Sequence, residues 1–203
     1  MILPVRRLIV KPIGGCSAFE ARMAFKPRKK PEPLDEAALY QYAVGALARQ
    51  MRTIAELKRL MSRRVEPGET GESKVEAVVA RLLDQRYLDD PAFASTYTRL
   101  RQENQSLGKR RVQQELTRKG VQGELIASTI ESAYAQVNEE DLGRRYIARK
   151  RITKPKDAKQ TARLIRRLIG AGFSFATISK LLKTWEIDCS EADLIVPEHD
   201  DAE

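Results

Sequence analysis

The sequence predicts an all-α protein, an elongated tandem array of three three-helix repeats. Three observations carry this. Gly and Pro are scarce between residues 34 and 153 and β-branched runs are absent, so nearly every long segment favours helix. Apolar residues recur at helical spacing with capping residues before them. A spacing pattern also repeats: Leu116 precedes Gly120 and Val121, and Leu168 precedes Gly172 and Phe173. Leu60 stands in the same relation to Arg64 and Val65, giving offsets of 56 and 52 residues between units. Bundles this small have meagre cores, so each is expected to lean on its neighbour.

Residues 1–33 read as a basic arm rich in Pro, Gly and Lys that lacks the apolar residues for a core. Met23 is a possible alternative start. Repeat 1 is assigned to 34–88, repeat 2 to 89–136, repeat 3 to 137–185, and an acidic tail to 186–203. The first helix is LDEAALYQYAVGALARQ (34–50). Thr53 with Glu56 forms a capping box before TIAELKRLMSRR, PGETGES is read as a loop, and Ser73 with Glu76 as a second box. In the helix after it, Val75, Val78, Val79, Leu82 and Leu83 form an apolar stripe.

Asp90 is expected to cap the fourth helix, with Pro91 in its first turn and Phe93, Tyr97 and Leu100 on its buried side. The segment GKRRVQQELTRKGV (108–121) is the fifth. Leu125, Ile126, Ile130 and Tyr134 mark the sixth, and Leu142, Tyr146 and Ile147 the seventh. Asp157 caps AKQTARLIRRLIGAG. Ser174 caps the last helix, with Phe175, Ile178, Leu181, Leu182 and Trp185 along one face.

The net charge of +9 is uneven. Residues 1–33 carry +6, residues 34–185 carry 29 bases and 18 acids for +11, and residues 186–203 carry eight acids and no Lys or Arg. A basic body points to a polyanionic partner, nucleic acid or an acidic protein surface. Solubility and ordinary helix-face charge are the plainer reading of charge alone. The acidic tail could shield the basic body when the protein is free.

The two cysteines, Cys16 and Cys189, and the one histidine, His199, supply neither a disulfide framework nor a zinc site. The start, MILPVRRLIV, is too short and interrupted for a signal or membrane span, so a cytoplasmic protein is expected. No GxxxxGK[ST], GxGxxG or GxSxG is present. Asp89-Asp90 is read as capping rather than acid–base chemistry. A binding function without a cofactor is therefore favoured over an enzyme.

On a helical wheel of 108–121, at about 100° per residue, Val112 and Leu116 face the core and Lys109 and Lys119 flank them. Arg110, Arg111, Gln114 and Arg118 lie opposite. The third repeat carries a related cluster: Arg144, Arg145, Arg149, Lys150 and Arg151, then Arg163, Arg166 and Arg167. Two such clusters in successive units make a basic strip fit to track a polymer, where Arg forks suit phosphate or carboxylate. Solvated helix faces are the alternative reading. Tyr97, Tyr134 and Tyr146 fall at core positions, so base stacking is poorly supported.

RYLDDPAFASTYTRLR (86–101) followed by GKRRVQQELTRKGV (108–121) resembles the signature of the RecX family, regulators of the RecA recombinase. Tyr87, Leu88, Asp89, Asp90, Phe93 and Ala94 match the first part of the pattern. Gly108, Arg111, Glu115, Leu116, Lys119, Gly120 and Val121 match the second. Arg86 stands where the family usually has Gly. AGFSFATISKLL (171–182) and TIAELKRLM (53–61) are similar to the third- and first-unit patterns, so the resemblance spans about residues 36–185.

It implies tandem three-helix repeats and a non-enzymatic monomer. Such a protein would bind the helical groove of the RecA–DNA filament and lower ATP hydrolysis, strand exchange and co-protease activity, with single- or double-stranded DNA met through the strip. The expected contacts are then Arg110, Arg111, Gln114, Arg118, Arg144, Arg145, Arg149, Arg166 and Arg167. The competing readings are a helix-turn-helix-like DNA-binding protein without a recombinase partner and a helical-repeat adaptor for a purely protein partner.

Overall fold

The computed structural model describes residues 32–187, so the expectations for the basic arm, Cys16, Cys189, His199 and nearly all of the acidic tail lie outside the described residues. The described residues form nine α-helices and no strand. They run α1 Glu36–Arg49, α2 Ile54–Met61, α3 Glu69–Asp84, α4 Asp90–Gln105, α5 Lys109–Lys119, α6 Gly123–Tyr134, α7 Glu139–Arg149, α8 Ala158–Gly170 and α9 Phe175–Lys183. Within the three groups, α1 packs on α3, α4 on α6 and α7 on α9.

Caps explain most of the boundaries. Asp35, Thr53, Asp157 and Ser174 each accept a hydrogen bond from the backbone N–H three residues on, satisfying donors that a helix start leaves open. At α5 and α8 the chain reverses through Gly120 and Gly172, both left-handed. Val121 N–H then donates to Leu116 O at 3.2 Å, and Phe173 N–H to Leu168 O at 3.2 Å. This shared C-terminal turn is the physical content of the Leu–Gly–hydrophobic repeat.

Several local expectations are corrected. Ser73 does not open α3. The helix begins at Glu69, because Gly68 turns the chain at φ +111° and Glu69 and Glu72 sit favourably in the first turn. Glu76 instead binds Lys58 at 2.6 Å. Asp89, not Asp90, caps α4, accepting from Ala92 N–H at 2.7 Å. Asp90 reaches across to accept from Ile54 N–H, the first residue of α2, at 3.0 Å. Leu100, Leu83 and Phe175 are exposed. In α4 the buried place beyond Tyr97 belongs to Thr98.

The apolar residues form two cores rather than three. One gathers Leu39, Leu57, Met61, Val78 and Leu82 with their neighbours in α1–α3. The other runs without a break through α4–α9, including Leu116, Leu142, Leu168, Phe173 and Ile178. The second and third groups are therefore fused by burial, while polar contacts join the first to the second.

Candidate functional site

The site is built on α5 and α8, the second helices of the last two groups, and on how consecutive second helices meet. The C-terminal end of α8 abuts the N-terminal end of α5: Gly108 N–H donates to Ala171 O at 2.9 Å. A Cβ on Gly108 would stand 2.2 Å from Gly172 O, and one on Gly172 would stand 2.3 Å from Arg111 N. The C-terminal end of α5 meets the N-terminal end of α2 in the same sense. Thr53 Oγ1 donates to Lys119 O at 2.6 Å, and a Cβ on Gly120 would lie 2.4 Å from Ala55 Cβ. Carbonyl ends thus face amide ends at both junctions, a favourable alignment of helix dipoles. The side chains of α8, α5 and α2 are brought into succession.

At the α2–α5 junction Lys119 is structural. Its ammonium binds Glu56 at 2.8 Å and lies 5.2 Å from the centre of the Tyr97 ring. Burial raises the Asp90 carboxyl above its ordinary value, against the lowering effect of the Ile54 N–H bond; nearby Asp89 and Glu56 push it up further.

On α5, Arg110, Gln114 and Arg118 are exposed, while Val112 and Leu116 are fully buried. Arg118 Nε donates to Gln114 O at 3.3 Å, which lays the side chain along the helix. Arg111 differs from the expectation. It is half-buried and bound to Glu115 at 2.9 Å. Glu115 also accepts from the Tyr97 hydroxyl at 2.7 Å and pairs with Arg101 at 2.9 Å. Burial pulls the Glu115 carboxyl upward, but the Tyr97 bond and the two guanidinium groups outweigh it and hold it low. Burial and the same carboxylate push the Tyr97 phenol up. The signature residues Arg111 and Glu115 therefore lock α5 to α4.

On α7, Arg144 pairs with Asp141 at 3.3 Å and Glu140 at 3.6 Å, and Arg149 donates to Glu103 O at the end of α4 at 3.3 Å. Arg145 is exposed and, among the described residues, bonds only its own helix backbone. Arg163, Arg166 and Arg167 on α8 are exposed, and among the described residues none has a carboxylate partner.

Sequence reasoning passed over two features. Glu139, at the start of α7, accepts from Ser174 N–H at 3.0 Å, from Ser174 Oγ at 2.7 Å and from the Thr177 hydroxyl. The α7–α8 loop adds Lys154 and Lys156, and the first turn of α8 adds Lys159, beside the α8 arginines; the charge count of residues 149–167, nine bases to one acid, was the available signal. Among the described residues no cluster of His, Cys, Asp or Glu could hold a metal, and no helix is long and apolar enough to cross a membrane.

These features define a tandem three-helix-repeat protein with basic side chains on its consecutive second helices. A family model described as RecX, second three-helix domain, matches residues 89–130. The regulatory protein RecX of Myxococcus xanthus (strain DK1622) is 34% identical over 184 residues, covering 83% of this chain and 95% of the relative. That of Mycolicibacterium smegmatis (strain ATCC 700084 / mc(2)155) is 31% identical over 160 residues, 76% of this chain and 80% of the relative. The chain belongs to the RecX family of regulatory proteins. A crystal structure of RecX from Lactobacillus salivarius shares the fold at a TM-score of 0.58 and 18% identity, covering 74% of this chain and 96% of that one. A second RecX crystal structure does so at 0.60 and 21%, covering 73% and 71%.

Proposed function

We propose that this protein binds in the helical groove of the RecA–DNA filament and lowers the ATPase, strand-exchange and co-protease activities of the recombinase. It acts there without chemistry of its own. Family membership supports a regulator, and the succession of α2, α5 and α8 carries the reading further. Arg110 and Arg118 on α5 and Arg163, Arg166 and Arg167 on α8 stand on helices joined end to end, so their charges recur along one direction. A helical filament offers acidic protein groups and phosphates that recur likewise, and Arg binds both. Arg111 supports the site indirectly by fixing α5 through Glu115.

The test is DNA-dependent ATP hydrolysis by the RecA of the same organism, with this protein titrated into preformed filaments at two DNA concentrations. Inhibition set by the ratio to RecA and indifferent to added DNA is expected. Inhibition relieved by added DNA would replace this reading with a plain helix-turn-helix-like DNA-binding protein.

A further inference from the structure

The acidic tail leaves the folded body at the end of the third repeat that carries a basic recess. Glu139, at the start of α7, accepts from Ser174, the cap of α9. Farther along, a Cβ on Gly143 would stand 2.5 Å from Leu181 Cδ1. The two helices therefore run side by side in the same direction and finish together. They also finish alike. Arg151 and Glu186 are left-handed, at φ +50° and +57°. Ile152 N–H then donates to Ile147 O at 3.0 Å, and Ile187 N–H to Leu182 O at 3.2 Å. Ile152, Trp185 and Ile187 pack against the same core.

Ile152 and Leu164 floor a recess of about 160 Å³ between the α7–α8 loop and α8. An apolar cavity of about 150 Å³ accommodates benzene, so this one suits a branched aliphatic side chain. Arg163 and Arg167 stand at its rim one helical turn apart, and the loop adds Lys154 and Lys156. All four are exposed, and among the described residues none is in an ion pair.

Beyond Ile187 the sequence runs DCSEADLIVPEHDDAE (188–203), with seven acids and no Lys or Arg. Leu194, Ile195 and Val196 are its one apolar run, with Glu191 and Asp193 before them and Glu198, Asp200 and Asp201 after. The order acid, aliphatic, acid mirrors a recess whose apolar floor lies between cations.

We propose that residues 191–201 fold back into this recess of their own chain. The aliphatic run sits on Ile152 and Leu164, and the flanking carboxylates pair with Lys154, Lys156, Arg163 and Arg167. Charge alone would let the tail settle anywhere on the basic body; the apolar floor and the point of departure give it an address. Leu194 lies seven residues past Ile187, roughly 23 Å when extended, whereas neighbouring packed helices stand about 8–10 Å apart. So short a tether gives about millimolar effective concentration, so a contact too weak between separate molecules forms within one. The consequence rests on the filament reading: a filament anion reaches Arg163 and Arg167 only by displacing the tail, so the free protein is autoinhibited.

The test places a nitroxide on the full chain at Ala202→Cys, with Cys16→Ser and Cys189→Ser, and measures broadening of backbone amide resonances. Amides of residues 152–167 are expected to lose most of their intensity, while those of α2 and α5 keep theirs. Broadening spread equally over α5 and the recess would overturn the address, leaving only general attraction of charge. Unbroadened recess amides would overturn the docking and leave the recess to an outside polyanion. A mixture of isotope-labelled chains without nitroxide and unlabelled chains with it is expected to show no broadening; broadening there would give the recess to the tail of a second copy.

Two variants divide the contact. Lys154→Gln, Lys156→Gln, Arg163→Gln and Arg167→Gln together should abolish the broadening. So should Leu194→Ser, Ile195→Ser and Val196→Ser, which keep the charge and touch no helix; full broadening in that variant would refute the apolar seat. Removing residues 188–203 should lower the concentration for half-inhibition of the RecA ATPase about three- to tenfold, as for a site open in about a tenth to a third of molecules. An unchanged concentration would overturn the autoinhibition. If neither form inhibited RecA, the filament reading would fall, and the docking would still be judged by the broadening.

Discussion

Replacing Gly108 with Ala tests whether the end-to-end joining of α8 and α5 holds the last two repeats together. Gly108 has φ −71°, which any residue adopts, so backbone strain plays no part. The added methyl would lie 2.2 Å from Gly172 O, where ordinary contact begins at 3.4 Å. Backbone lies on both sides of the junction, so no side chain can swing away. The helices must part by about 1.2 Å, which breaks the 2.9 Å bond from Gly108 N–H to Ala171 O. Stranding a buried N–H costs about 1–3 kcal/mol, and forced repacking costs about 1–3 kcal/mol more.

The expected loss is therefore about 2–6 kcal/mol, a fall of about 1 M or more in the urea midpoint followed by far-UV circular dichroism. Gly45→Ala is the internal control. That glycine is exposed within α1 and a Cβ there meets nothing within 4 Å, so it should stabilise by about 0.5–1 kcal/mol. If Gly108→Ala were as stable as the unaltered protein, the close approach of α5 and α8 would not be a feature of the folded state and the argument for a continuous basic strip would fall with it.

Two further outcomes are expected. Arg86→Gly should raise the urea midpoint, by about 0.5–1 kcal/mol of stability, because Arg86 is exposed and held at φ +57°, a left-handed conformation that costs a side-chain-bearing residue more than glycine; an unchanged or lower midpoint would refute it. Glu139→Gln should flatten the acid limb of the thermal midpoint against pH. Burial alone would raise the Glu139 carboxyl, but hydrogen bonds from Thr177 and Ser174 hold it below its ordinary value of 4.5. Its stabilisation is therefore present above that value and lost as pH falls through the lower, folded one. Coincident acid limbs for the two proteins would show that the bonds to Ser174 and Thr177 carry no linkage.

Capping residues and apolar spacing made the helices legible in the sequence, since both act within a few residues. Thr53, Asp157 and Ser174 could be placed as caps, and Val112 and Leu116 as the buried side of α5, from local pattern alone. The misread positions share a cause. Asp90 looks like the cap of α4, but Asp89 holds that place and the Asp90 carboxylate accepts from Ile54 N–H, 36 residues earlier. Ser73 and Glu76 have capping-box spacing, yet Gly68 turns the chain first and Glu76 finds Lys58, 18 residues away. Arg111 reads as a free cation on a wheel, because the wheel omits α4 and hence Tyr97 and Arg101, which hold Glu115 beside it.

The sequence by itself determined the all-helical class, the three-unit rhythm and the family, because helix propensity, capping and the Leu–Gly–hydrophobic turn act over short range. Only the tertiary structure decided which cations are spent on the fold and which are left for a partner. Whether a cation finds a partner depends on residues far away in the chain: Lys119 on the Glu56 carboxylate, Arg149 on the Glu103 backbone carbonyl at the end of α4. Tertiary packing also reduced three expected cores to two, because the apolar residues of α4–α9 close over one another, whereas α2 meets α5 through hydrogen bonds, an ion pair and a glycine.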